Sequence, residues 1–166
     1  MNLTFTAITF LIVAALVAID QVIKWYATVY LAPIGAVTVI PGILEFRFLL
    51  NDGAAFSSFG GKQTFLILFT SIALLAIIAY LFIKRPCKTE YMAWVLVLSG
   101  GIGNLIDRIL NNVVVDYINF LFVNFAVFNF ADILICLGIG LLVLHVILDE
   151  ISARKSKTGN MTDGEV

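Results

Sequence analysis

The sequence predicts a mainly α-helical membrane protein, a bundle of four transmembrane helices with a small β-structured cap on its outer face. Composition is the first observation behind this prediction. The chain of 166 residues is 61% hydrophobic and 13% charged, whereas soluble domains are about 45–50% apolar and 25% charged. Its mean hydropathy is +1.06. These values exclude an ordinary soluble domain and a disordered chain.

Four long apolar stretches are the second observation, because a helix needs about 20 largely apolar residues to cross a bilayer. We expect spans at about residues 3–22, 64–83, 91–110 and 126–148, within a single membrane domain that covers residues 1–166. The first span is not preceded by a basic residue and lacks an A-x-A ending. We therefore interpret it as a retained anchor rather than a cleaved signal peptide.

A β-rich stretch between the first two spans is the third observation. Residues 26–63 are too many for a tight connection and too apolar for a solvated loop. Within them, residues 36–40 and 43–50 are rich in β-branched and aromatic side chains, and Pro41-Gly42 marks a turn between the two. This pattern predicts the small β-structured cap.

Basic residues predict the orientation of the bundle, because short cytoplasmic loops collect Lys and Arg. Such residues lie at 84–88, between the second and third spans, and at 154–157, after the fourth. We expect both places, and with them both termini, to be cytoplasmic. The tail 152–166 is expected to be flexible.

Charge and cysteine content exclude several functions. A formal net charge of −1 argues against nucleic acid as a partner, since that binding relies on a basic surface. Cys87 and Cys136 are too far apart in sequence for a metal knuckle or a disulfide framework, and His145 is the only histidine. We expect no cofactor and no metal site.

Acidic residues within or beside the spans are costly and need an explanation. Helix rise puts Asp20, Asp107 and Asp132 at one depth, roughly 24–26 Å from the inner end of their spans. Asp20 and Lys24 are spaced i, i+4, which favours mutual neutralisation. We expect the adjoining Arg108 to keep Asp107 ionised.

Asp116 and Asp132 differ from these residues because neither has a basic residue within four positions. If the fold brings them together, two neighbouring carboxylates would share one proton and could activate a water molecule, as in aspartic proteolysis. The alternative is that each caps a helix or accepts a hydrogen bond from a nearby backbone amide. The spacing alone leaves both readings open.

The chain also carries five ordered sequence motifs. They are Asp20 with Lys24, Asn51-Asp-Gly-Ala-Ala-Phe56, Gly100-Gly-Ile-Gly-Asn-Leu-Ile-Asp-Arg108, Val114-Val-Asp-Tyr117 and Phe128-Asn-Phe-Ala-Asp132. In these motifs and their order the chain resembles bacterial lipoprotein signal peptidase, signal peptidase II, a family of intramembrane aspartic peptidases. The resemblance covers Asp20 to about Leu148.

This resemblance implies an enzyme of the bacterial inner membrane that removes signal peptides from prolipoproteins by cutting before a diacylglyceryl-modified cysteine. Its implied partners are these prolipoproteins and membrane lipid. It implies Asp116 and Asp132 as the catalytic pair and the cyclic peptide globomycin as an inhibitor. It also implies residues that line or brace the site: Asp20, Lys24, Asn51, Gly101, Asn104, Asp107, Arg108, Asn129 and Ala131.

Two functions of other classes compete with this interpretation. A small proton-coupled transporter would use the same carboxyl groups as a relay, but it predicts acidic residues distributed through the depth of the membrane. A noncatalytic assembly subunit accounts for the spans and leaves the aspartates unexplained.

Overall fold

The computed structural model describes residues 3–53 and 63–162. In chain order its elements are α1 (Leu3–Tyr26), β1 (Ala36–Ile40), β2 (Leu44–Asn51), α2 (Gln63–Lys84), α3 (Lys88–Asn111), β3 (Val114–Phe120) and α4 (Phe130–Thr162). A π-helical turn, Ala27–Leu31, continues α1. The predicted four-helix bundle with a small sheet is confirmed.

The four helices are long and apolar enough to cross a membrane, and the distribution of polarity fits a lipid environment. Large apolar side chains point outward: Phe10 is 72% exposed and Ile83 is 75% exposed. Polar side chains are buried instead, with Asp20 and Asn129 at 0% exposure. Because water would favour the opposite arrangement, the chain is a multi-pass membrane protein.

Helix α3 occupies the centre of the bundle and packs against α1, α2 and α4. Small residues allow its close approach to α4. Gly100 of α3 lies against the carbonyl oxygen of Ala131, and Gly138 of α4 lies against the carbonyl oxygen of Ala93. Small residues at such crossings are typical of membrane helices, whose association depends on tight packing.

The three strands form one antiparallel sheet in the order β1-β2-β3. Strands β1 and β2 are the two segments that the sequence predicts, and Gly42 has a φ of 73° in the turn between them, a conformation that favours glycine. Strand β3 was not predicted. Its residues from Val114 to Tyr117 are all buried, so it lacks the polar alternation that marks a half-exposed strand.

Element ends differ from the expected spans in two places. Helix α4 begins at Phe130 rather than near residue 126, because Phe128 is still extended and pairs with Ile118 of β3. The segment expected to be a flexible tail is helical to Thr162, and no proline or glycine interrupts it before Gly159. Residues 54–62 of the expected outer segment and 163–166 of the tail lie outside the described residues.

Candidate active site

The fold brings Asp116 and Asp132 to one place by a reversal of the chain after β3. Asp116 lies within β3, and Phe128 returns alongside it, since its N–H donates to the carbonyl of Ile118 at 3.0 Å and its carbonyl accepts from Ile118 N at 2.8 Å. Helix α4 begins two residues later and carries Asp132 in its first turn. Both aspartates line the same cavity.

Asp132 is held by a reciprocal cap at the start of α4. The side-chain oxygen of Asn129 accepts a 3.0 Å hydrogen bond from the backbone N–H of Asp132. In return, Asp132 Oδ2 accepts a 3.1 Å bond from the N–H of Asn129. This is the geometry of a capping box, so one carboxylate oxygen has a structural role. The other, Oδ1, accepts a 2.8 Å bond from Asn104 Nδ2.

Asp116 is 1% exposed and accepts one amide hydrogen bond at each carboxylate oxygen. Asn51 Nδ2 donates to Oδ2 at 2.8 Å, and Asn129 Nδ2 donates to Oδ1 at 2.7 Å. Burial raises the pKa of Asp116 to about 6; the hydrogen bond from Asn51 opposes the rise and the negative charge of Asp132 adds to it. Its protonation therefore changes close to neutral pH.

The side chain of Asn51 is oriented by the turn that follows β2. The backbone N–H of Gly53 donates to Asn51 Oδ1 at 2.9 Å. This bond fixes which end of the amide is the acceptor, and it leaves the NH₂ group to face Asp116. The motif Asn51-Asp-Gly53 thus supplies a positioned donor to the aspartate.

A buried ion cluster lies beneath the two aspartates. Lys24 Nζ is 2.9 Å from Asp20 Oδ2 and 3.0 Å from Asp107 Oδ2. The expected i, i+4 pair therefore forms, and it includes Asp107 from another helix. Each carboxylate also accepts a backbone bond, Asp20 from Ala131 N at 3.0 Å and Asp107 from Val115 N at 3.2 Å. The cluster thereby fixes β3 and α4 relative to α1 and α3.

Asn104 connects this cluster to the aspartates. Its Oδ1 accepts hydrogen bonds from Lys24 Nζ at 2.9 Å and from Asn129 Nδ2 at 3.1 Å, while its Nδ2 donates to Asp132. The structure thus joins Lys24, Asn104, Asn129 and Asp132 in one continuous network. Gly101, by contrast, faces α2, where an added Cβ would lie 2.7 Å from Leu74. It braces the helix pair and does not line the cavity.

Among the described residues, Arg108 forms no ion pair with Asp107, the residue that we expect it to keep ionised. Asp107 is paired with Lys24, whereas the Arg108 guanidinium donates to the carbonyls of Asn104 at 3.4 Å and Gly53 at 3.2 Å. Neighbours in a helix point about 100° apart, so adjacency in sequence did not bring the two side chains together. Arg108 lines the cavity, and among the described residues its buried Nε has no hydrogen-bond partner.

Two residues of the site, Gln21 and Tyr117, are not among the predicted site residues, although Tyr117 belongs to one of the five motifs. Gln21 Nε2 donates to Asp107 Oδ1 at 3.0 Å and to the carbonyl of Gly103 at 3.2 Å; its position beside Asp20 in an apolar span was the available signal. Tyr117 accepts a 3.1 Å bond from the N–H of Phe130. Burial raises the pKa of the Tyr117 hydroxyl, so it stays protonated.

The cavity beside the aspartates has a volume of about 780 Å³. It has few polar groups, which are Asp116, Asp132, Arg108, Asn51 and Asn104. The rest of the lining is apolar, from Leu44, Val114, Ile118, Phe120, Phe125, Val127, Phe128, Ile133, Ile135 and Leu137 among others. Such a cavity suits an apolar ligand that presents a polar group to the two carboxyls.

The arrangement places two carboxyl groups on one side of a largely apolar space. Each of the four carboxylate oxygens accepts one hydrogen bond from the chain, which leaves a second lone pair on each for water or a proton. A pair of this kind can take a proton from water while it donates one to a carbonyl oxygen. The chemistry that fits is hydrolysis.

Comparison with known sequences agrees with this geometry. The family described as Signal peptidase (SPase) II matches residues 12–148. A lipoprotein signal peptidase of Enterococcus faecalis is 41% identical over 153 residues, covering 90% of this chain and 94% of the relative. One of Clostridium tetani is 41% identical over 138 residues, covering 81% of this chain and 88% of the relative.

Comparison of the folds gives the same answer. A bacterial membrane enzyme solved by the in meso method at 2.3 Å resolution superposes with a TM-score of 0.81 at 31% identity, covering 88% of this chain and 91% of that one. A second, at 1.9 Å, has a TM-score of 0.77 at 32% identity, covering 86% and 94%. With sequence, fold and an aspartate-lined cavity in agreement, the chain belongs to the signal peptidase II family of aspartic peptidases.

Proposed function

We propose that this peptidase removes signal peptides from prolipoproteins, and that it cuts just before a cysteine that already bears diacylglycerol. The family supports the removal of signal peptides from prolipoproteins. The apolar lining of the cavity supports the lipid-modified substrate, since acyl chains and an apolar signal helix are the ligands that such a surface binds best.

Asp116 and Asp132 are the proposed catalytic residues, and they share one proton near neutral pH. The ionised carboxylate takes a proton from a water molecule held between the pair, and the water oxygen attacks the scissile carbonyl carbon. The protonated carboxyl gives its proton to the carbonyl oxygen. When the C–N bond breaks, a proton returns to the leaving amine. The single observation that carries this proposal is that both aspartates line one cavity and are linked through Asn129.

Arg108 is the proposed contact for the substrate backbone. Its guanidinium lies at the cavity with an Nε–H that has no acceptor among the residues described here. A peptide carbonyl is the acceptor that an extended substrate segment offers beside the scissile bond. Asp20, Lys24, Asp107 and Asn104 then act by positioning, because the network they form ends at Asp132.

The proposed location is the bacterial inner membrane, with both termini in the cytoplasm and the aspartates near the outer face. The support is the basic segment 84–88, at the end of the bundle away from the aspartates. Cys87 tests this orientation, because it is exposed. In a variant that lacks Cys136, and with a metal chelator present, a membrane-impermeant maleimide should label Cys87 only after the cells are opened; labelling of intact cells would reverse the topology.

The test of function is cleavage of a diacylglyceryl-modified prolipoprotein by the purified protein in detergent micelles. Asp116→Asn and Asp132→Asn should each abolish cleavage, whereas Glu150→Gln, an exposed carboxyl at the opposite end of α4, should leave the rate unchanged. Globomycin should block the wild type. Processing at the normal rate by either aspartate variant would overturn the mechanism, and equal cleavage of the unmodified precursor would overturn the substrate.

A further inference from the structure

A second cluster of reactive side chains lies at the end of the bundle away from the aspartates. Cys87 precedes α3, Glu90 is in the first turn of that helix, and His145 is on α4. Their ligand atoms all lie within 4.8 Å of one another. At a rise of 1.5 Å per residue, Glu90 is about 25 Å along α3 from Asp107, so this cluster is separate from the proposed catalytic site.

We propose that Cys87, Glu90 and His145 form a binding site for a divalent cation of the zinc class. Thiolate, imidazole and carboxylate together are a donor set that zinc prefers. The exposed carboxylate of Asp149, one turn after His145, supplies a fourth ligand or is replaced there by water. The Cys87 thiolate and the Glu90 carboxylate together balance the double positive charge of the ion.

The distances between donors support the site. Cys87 Sγ lies 3.5 Å from His145 Nε2, and Asp149 Oδ2 lies 3.4 Å from the same nitrogen. For tetrahedral zinc, with Zn–S near 2.3 Å and Zn–N near 2.0–2.1 Å, the separations between ligand atoms are about 3.3–3.6 Å. Glu90 Oε2 is at 3.9 Å, so a small side-chain rotation brings it into the coordination shell.

Glu90 is held in the orientation that a ligand needs. The hydroxyl of Tyr80 donates to Glu90 Oε1 at 2.6 Å, and Trp94 Nε1 donates to the same oxygen at 3.4 Å. These bonds occupy one oxygen and leave Oε2 facing His145. Hydrogen bonds that fix the far side of a ligand in this way are a regular feature of metal sites.

The sequence predicts no metal site, because Cys87 and Cys136 lie far apart along the chain and His145 is the only histidine. The structure joins Cys87 to donors from α3 and α4 instead. A bound ion would connect the starting turn of α3 to α4 by coordination bonds, at the end of the bundle where the two helices are not fastened by the aspartate network.

The experiment uses the full-length protein in detergent micelles, with any affinity tag removed. Zinc is titrated by calorimetry, and cobalt(II) serves as a spectroscopic probe because thiolate ligation gives a charge-transfer band. We expect one zinc per chain in the wild type. Cys87→Ser and His145→Gln should each weaken zinc binding at least tenfold, and Cys87→Ser should remove the cobalt charge-transfer band. Cys136→Ser, the matched control, should change neither.

Three results would overturn the site. One is the absence of stoichiometric zinc binding by the wild type, which would leave His145 as a partner of Glu90 and Asp149 only. Another is unchanged affinity in Cys87→Ser. The third is a loss in Cys87→Ser without a loss in His145→Gln, which would indicate binding to a lone thiol. Thermal unfolding and elution volume identical to the wild type establish that each variant is folded.

Discussion

The side-chain amide of Asn129 donates a 2.7 Å hydrogen bond to Asp116 Oδ1. The oxygen of the same amide accepts from the backbone N–H of Asp132 at 3.0 Å. One buried side chain therefore sets the position of both aspartates, and it does so from the residue that caps α4. The helix start and the aspartate pair depend on the same few atoms.

Replacement of Asn129 should therefore impair catalysis more than folding. In Asn129→Ala, Asp116 loses a hydrogen bond and α4 loses its cap, which costs about 1 kcal/mol of stability. Loss of alignment between the aspartates should lower kcat on the order of 100-fold. Steady-state cleavage of the lipid-modified precursor measures this change. Asn111→Ala, an exposed asparagine at the end of α3, is the control; equal activity of the two variants would contradict the positioning role.

The titration of Asp116 should respond in opposite directions to its two neighbours. Asn51 donates to the carboxylate and so favours its ionised form, which means that Asn51→Ala should raise the pKa of Asp116 above its value of about 6. The negative charge of Asp132 favours the protonated form, so Asp132→Asn should lower that pKa. In both variants burial still keeps the pKa of Asp116 above the usual aspartate value of 3.8.

Carbon-13 NMR of the aspartate carboxyl groups in micelles, followed from pH 4 to pH 8, measures these shifts. Asp116→Asn identifies the resonance. A shift in the same direction in both variants would show that the pKa is not set by these two contacts.

Lys24 should be essential to stability because its side chain is 3% exposed and its ammonium group lies between two carboxylates. In Lys24→Met the volume is kept, but Asp20 and Asp107 lose their shared cation. Breaking a buried pair by removing one partner costs about 3–5 kcal/mol. The exposed pair of Arg154 with Glu150 provides the comparison, since Arg154→Met should cost less than about 1 kcal/mol.

Unfolding of the two variants in mixed detergent micelles gives both free energies. If Lys24→Met unfolds at the same denaturant concentration as Arg154→Met, the cluster does not hold the helices together. The double variant Lys24→Met with Asp107→Asn should recover part of the loss, because it removes one of the stranded charges.

The sequence predicts the site most reliably where an acidic residue has no local explanation. Asp116 and Asp132 stand out in this way as candidates, although their catalytic role is implied only by the family resemblance, and Asp20 with Lys24 stand out by their helical spacing. The network between them was not predictable from spacing, because Asn104 reaches Lys24 across 80 positions and Asn129 reaches Asp116 through the reversal after β3. Such contacts depend on how elements pack.

Asp107 shows the same limit. Proximity in sequence predicts that Arg108 keeps Asp107 ionised, but the ion pair of Asp107 forms with Lys24 from another helix. Strand β3 is not predicted because its residues from Val114 to Tyr117 are all buried. A short apolar run that lacks alternating polar residues does not distinguish a strand from a helix. Local patterns thus predicted the helices, β1 and β2, while the strand that carries Asp116 required the tertiary structure.

Two glycines offer a direct test of how closely α3 and α4 must approach. A Cβ at Gly100 would overlap the carbonyl oxygen of Ala131 and lie 2.8 Å from Ile135, so Gly100→Ala must push the helices apart. Overpacking of this kind costs about 1–3 kcal/mol. Because Ala131 also donates to Asp20, and Asp132 follows it, the displacement should reduce the cleavage rate as well.

Gly140 is the matched control, since it lies in α4 with no atom within 4 Å of an added Cβ. Gly140→Ala should keep full activity and increase stability by up to about 1 kcal/mol, because alanine is the better helix former. Thermal unfolding and cleavage assays of both variants compare the two effects. Equal tolerance of alanine at 100 and 140 would mean that the contact between α3 and Ala131 does not set the position of Asp132.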